Sequence, residues 1–116
     1  MLLIRVFSVM TVFVSTFSFA NTEQEIQHLL TYVGNSNCQY ERNGSVHTGA
    51  DAVKHIEKKY NYFKDDIVSA EDFIQYSATK SRMSGKYYLI LCQNQTPIKS
   101  KDWLLTELMH YRITLQ

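Results

Sequence analysis

The feature that most constrains the chain is its first 20 residues. Met1-Leu2-Leu3-Ile4-Arg5 leads into an apolar stretch from Val6 to Phe17, and Ser18-Phe19-Ala20 precedes the polar cluster Asn21-Thr22-Glu23. One cation, a short apolar core and a small-x-small tripeptide have the form of a secretory signal cleaved after Ala20. An uncleaved anchor would need roughly 20 predominantly apolar residues, whereas this run is shorter and holds Ser8, Thr11, Ser15 and Thr16. The sequence therefore predicts a removable signal over 1–20 and one domain over 21–116, periplasmic or secreted, with no membrane span after cleavage.

What folds is then 96 of the 116 residues, enough for a single thin core. The 12 Lys and Arg include Arg5, so 11 basic residues face 11 acidic ones in the mature part. That balance lacks the basic footprint of a nucleic-acid binder. Both cysteines, Cys38 and Cys92, lie in the mature part, and export makes an even pair read as a disulfide. Closing a loop of about 55 residues stabilises such a domain by about 4 kcal/mol in the chain-entropy picture.

Periodicity predicts a mainly helical α+β domain with about four helices and a small antiparallel two-stranded sheet. Ile26, Leu29, Leu30 and Val33 form one helical stripe, opened by a Thr22/Glu25 capping box and ended by Gly34-Asn35. Cys38 to Arg42 alternates as a short strand into Asn43-Gly44, a dipeptide suited to a tight turn. Thr48 and Asp51 open a second helix with Val53, Ile56, Tyr60 and Phe63 on its apolar face, and Ser69 with Asp72 opens a shorter third. Tyr87 to Cys92 is a continuous β-prone run, and Ser100 is placed to cap a last helix carrying Leu104, Leu108, Tyr111 and Leu115 beside Trp103.

If the two strands pair antiparallel with the cysteines opposite one another, Tyr40 meets Ile90 and Arg42 meets Tyr88 on one side. This register carries the Asn43-Gly44 turn to the Ser84-Gly85-Lys86 loop. The candidate ligand-binding set is therefore Arg42, Asn43, Ser81, Ser84, Gly85 and Lys86, with His47, His55 and Lys59 close by. A guanidinium, an ammonium, two hydroxyls and an open backbone suit an anion or carboxylate, although turn chemistry alone also explains several of these residues.

Other patterns carry less. His47-x3-Asp51-x3-His55 has metal-like spacing, but three residues straddling a helix start read better as solvated polar groups, so no metal and no cofactor are expected. Ser77-Ala78-Thr79-Lys80 matches Ser-x-x-Lys without the larger domain and companion motifs that such enzymes need. Ser84-Gly85-Lys86 lacks the upstream glycine and following hydroxyl of a phosphate loop.

Tyr40-Glu41-Arg42-Asn43-Gly44, His47, Ala52, His55 with Lys59, Ala70-Glu71-Asp72-Phe73-Ile74, Ser81 through Tyr88, Cys92 and Trp103-Leu104 together resemble the YfeK-like family of small exported bacterial proteins. The resemblance spans nearly all of the mature chain. It implies an exported domain of unknown function in which the Cys38 and Cys92 pair recurs. The chain departs from the pattern at Arg82, where a second Ser is expected, and at Tyr87, where Pro is expected.

Three functions stay open on this reading. The first is a non-catalytic binding or interaction module whose partner is an envelope protein, peptide, glycan or small anionic ligand. The second is an envelope hydrolase or transferase with Ser81 or Ser84 as nucleophile and His47 or His55 as base. The third is a structural or stress-protective envelope protein without a defined small ligand.

Overall fold

The computed structural model describes residues 6, 8–11 and 21–116. The expected export signal lies outside the described residues apart from those five positions. Among the described residues, four helices and four short strands follow in the order α1 (Thr22–Asn35), β1 (Gln39–Arg42), β2 (Ser45–His47), α2 (Gly49–Tyr62), α3 (Ala70–Ser77), β3 (Leu89–Leu91), β4 (Ile98–Lys99) and α4 (Ser100–Thr114), with a 3-10 turn at Lys64–Asp66. The mainly helical α+β expectation is met, but the sheet has four strands rather than two, antiparallel in the order β2-β1-β3-β4.

The two additional strands have simple origins. Asn43 and Gly44 both take positive φ, 51° and 80°, and this two-residue turn returns the chain as β2 against β1. β2 holds only Ser45, Val46 and His47, too short and too polar to show alternation in sequence. β4 is two residues long and runs directly into α4.

The inferred pairing of β1 with β3 is correct, with Tyr40 opposite Ile90. Tyr40 and Ile90 are buried while Gln39, Glu41, Leu89 and Leu91 are not, so one sheet face is covered and the other is open. Cys38 and Cys92 form a disulfide just beyond this ladder, with Cα atoms 4.4 Å apart. That separation fits a directly opposed pair without mutual backbone hydrogen bonds.

The helices pack their apolar stripes on the covered face. Ile26, Leu29, Leu30 and Val33 of α1 meet Ala52 and Ile56 of α2, Phe73 and Ile74 of α3, and Leu104 and Leu108 of α4, with Tyr40, Tyr88 and Ile90 as the floor. α1 and α2 approach closely where Gly49 opens α2. A Cβ there would lie 2.4 Å from the Val33 carbonyl oxygen, so only glycine fits without a backbone shift.

Two caps differ from expectation. α1 is capped one residue earlier, where Asn21 Oδ1 accepts from the Gln24 amide at 2.8 Å and the Asn21 amide donates back to Gln24 Oε1 at 3.2 Å. Glu25 is instead buried against α4, where Arg112 grips it with Nε at 2.6 Å and Nη2 at 2.9 Å. Ser100 forms the first turn of α4 rather than its cap, because its hydroxyl is buried in a hydrogen bond with the Tyr40 hydroxyl. No helix among the described residues is long and apolar enough to cross a membrane.

Candidate functional site

The hairpin turn after β1 and the loop from Ser81 to Lys86 meet as the strand register requires. The loop is closed on itself, because the Ser81 amide donates to the Lys86 carbonyl at 3.0 Å and the Gly85 amide to the Ser81 carbonyl at 2.9 Å. Gly85 takes φ 72°, and a side chain there would be strained. Asn43 clasps the loop, donating from Nδ2 to Ser81 Oγ at 3.2 Å and accepting from Ser84 Oγ at 2.5 Å. Ser84 Oγ also accepts from the Lys86 amide at 3.2 Å.

Beside this clasp lies a half-open groove of about 610 Å³, lined by residues of the hairpin, α2 and its C-terminal end, and the loop. Of the residues singled out from sequence, Arg42, Asn43, His47, His55, Lys59 and Ser81 line it. Ser84, Gly85 and Lys86 stand outside the lining, as exposed residues of the loop behind Asn43. The cation that this loop contributes to the groove is thus Arg82 rather than Lys86.

Tyr88 supplies the floor of the groove. Its ring is buried in the core, while its hydroxyl accepts from Lys59 Nζ at 3.1 Å and lies 3.2 Å from His55 Nε2. Lys59 also donates to the Lys80 carbonyl at 2.9 Å and stands 5.0 Å from the Tyr88 ring centre. The Arg42 guanidinium rests against the His55 imidazole, with Nη1 2.9 Å from Nε2. His55 sits one helical turn before Lys59, so α2 delivers both from one side.

The electrostatics are one-sided. Arg42, Lys58, Lys59 and Arg82 line the groove, no Asp or Glu does, and among the described residues none of these four is ion-paired. The pKa of His55 falls to about 4, first through partial burial and then through the charges of Arg42 and Lys59. At neutral pH it is an uncharged imidazole able to accept a hydrogen bond from Arg42. The Lys59 ammonium is likewise pushed down by burial, then by Arg82 and Arg42, and burial raises the Tyr88 hydroxyl.

Several lining residues carried no functional signal in the sequence. Lys58, Tyr62, Phe63, Arg82, Met83 and Tyr88 all face the groove. Phe63 has the spacing of an α2 core residue, but α2 ends at Tyr62 and the chain turns there, which swings Phe63 to the groove wall.

The serine and histidine candidates are not joined. Among the described residues, Ser81 and Ser84 hydrogen-bond to Asn43 and to loop amides, while His55 contacts Arg42 and Tyr88. His47 lines the groove with its Nε2 buried and unpartnered among the described residues. His47, Asp51 and His55 form no metal-ligating group, nor do any other three His, Cys, Asp or Glu among the described residues.

The arrangement can hold an anion by charge and by directed N–H donors, over a floor that can donate or accept one hydroxyl bond. No curated protein and no solved structure matches the chain. The profile of a family of unknown function, DUF5329, matches residues 20–112, and so the chain belongs to that family.

Proposed function

We propose that this protein is an exported, non-catalytic binding module that recognises an anionic group of a peptide, glycan, envelope protein or small ligand. The observation that carries the reading is the groove lined by four cations with neither an ion-pair partner nor a lining carboxylate among the described residues, in a mature domain with as many acidic as basic residues. Concentrating like charges in one concavity costs stability, and a bound anion relieves it. The neutral His55 adds to this design, since it orients Arg42 without adding a fifth charge.

The exported, periplasmic or secreted location belongs to the same proposal. It is supported by the signal-like first 20 residues, by the disulfide, and by a family match that begins at residue 20. The kinship with YfeK-like proteins rests on the residues quoted above and is part of this reading.

The test is a calorimetric titration of the oxidised protein with phosphate and with acetate at low ionic strength. Replacing Arg42 by Ala together with Lys59 by Met removes two charged donors, each worth about 1.5–3 kcal/mol when hydrogen-bonded to an ion. A loss of affinity of about 100-fold or more is the expected result. Equal affinity in the variant and the original protein, with both folded by circular dichroism, would end the proposal.

A further inference from the structure

Charge alone leaves one part of the groove unexplained. Tyr62 is 75 % exposed and Met83 98 % exposed, and both stand on the rim beside the half-buried Phe63. A bare anion uses none of this apolar surface, and a groove of about 610 Å³ lies in the range for a ligand of drug-like size. Arg82 couples the two chemistries. Its guanidinium carbon is 4.9 Å from the Phe63 ring centre and 5.8 Å from that of Tyr62. A guanidinium placed near ring faces is held by their quadrupoles while N–H groups that point away from the rings can still donate.

We infer that the ligand is an aromatic anion, a planar ring bearing a phosphate or carboxylate, with its head between Arg42 and Lys59 and its ring against Tyr62, Phe63 and Arg82. This rests on the anion-binding reading above and adds the body of the ligand to it. The wall favours a ring over an acyl chain for a geometric reason. Two of its three apolar groups are aromatic rings, Tyr62 and Phe63, set edge-to-face at 4.8 Å and interleaved with Arg82, with Met83 beside them, and they form an open rim rather than a closed channel that would enclose a chain.

The experiment titrates the oxidised protein with inorganic phosphate, butyl phosphate and phenyl phosphate, and then with acetate and benzoate, so that the head is constant while the body changes. The phosphate and carboxylate series separate the two possible heads. Phenyl phosphate or benzoate is expected to bind about tenfold tighter than its bare anion, with butyl phosphate gaining clearly less than phenyl phosphate. Tyr62→Ala, a change at an exposed side chain, is expected to remove most of the ring's gain, read as the ratio of phenyl phosphate to inorganic phosphate affinity within the same variant.

If the ring adds nothing over the bare anion, or if the butyl chain adds as much as the ring, this inference is wrong while anion binding stands. A ring gain that survives in Tyr62→Ala overturns the proposed wall. If no anion of either series binds, both readings fall together.

Discussion

Replacing both cysteines, as Cys38→Ser with Cys92→Ser, tests how much of this small domain's stability resides in one covalent link. The bridged residues are 54 positions apart, so the link removes the freedom of a long loop from the unfolded chain. The chain-entropy relation puts that constraint at about 4 kcal/mol. Both cysteines are half-buried, so serine hydroxyls there reach water and add no orphaned polar group. For a domain of this size each kcal/mol corresponds to roughly 5 °C, and the variant should melt about 20 °C below the oxidised protein. Circular dichroism melts of the two proteins, with urea titrations to check the slope, measure the difference. Because the bridge closes one end of the β1–β3 ladder and the groove lies at the other, the proposed anion binding should be the same in the folded variant as in the oxidised protein at 25 °C. Melting points within about 5 °C of each other would refute the reasoning, and would mean that the unfolded chain keeps its ends together without the bond.

Two further outcomes follow from local geometry. Gly49→Ala drives a Cβ against the Val33 carbonyl and, at 3.3 Å, those of Gly34 and Ser36, and should cost about 1–3 kcal/mol, read as a lower urea midpoint. His55 should stay neutral well below the usual histidine range, so its ring proton resonances should titrate with a midpoint of about 4. With the folded pKa below the unfolded value of roughly 6.5, its contribution to stability is complete above that value. It is lost as the pH falls toward 4, and the slope over that interval should flatten in His55→Asn. A ring that titrates near 6.5 in the folded protein would show that neither its burial nor the surrounding cations act on it.

The helices and the central strand pair were legible because each rests on short-range information. The α1 stripe, the hydroxyl caps of α2 and α3, the Asn43-Gly44 turn and the β-prone run into Cys92 all state their structure within a few residues. The edge strands were not legible, since β2 and β4 exist only because a neighbour offers backbone partners. Glu25 misled for a similar reason, as its spacing fits a capping box but its carboxylate is claimed by Arg112, 87 positions away. In the groove, the strand register led to Arg42, Asn43 and Ser81, and helical spacing to His55 and Lys59. Nothing local marked Arg82, Tyr62 or Phe63, which join the site through the end of α2 and the path of the loop. Tyr88 was legible only as part of a β-prone run, although it precedes β3, and its roles in core and groove belong to opposite ends of one side chain.

The position of the loop within the disulfide also decides what happens when the chain is cut. Met83 is the exposed crest of residues 81–86, with Arg82 and Lys86 on either side, the basic residues at which a trypsin-like enzyme cleaves. Any break there falls between Cys38 and Cys92, so the two fragments stay covalently joined. One fragment carries α1, α2 and α3 and the other carries β3 and α4, and the shared core together with the ion pair of Glu25 and Arg112 holds them in place. In an oxidising, protease-rich setting the nicked molecule would keep its full mass and most of its fold while losing the rim that presents Arg82. Only reduction would release the pieces.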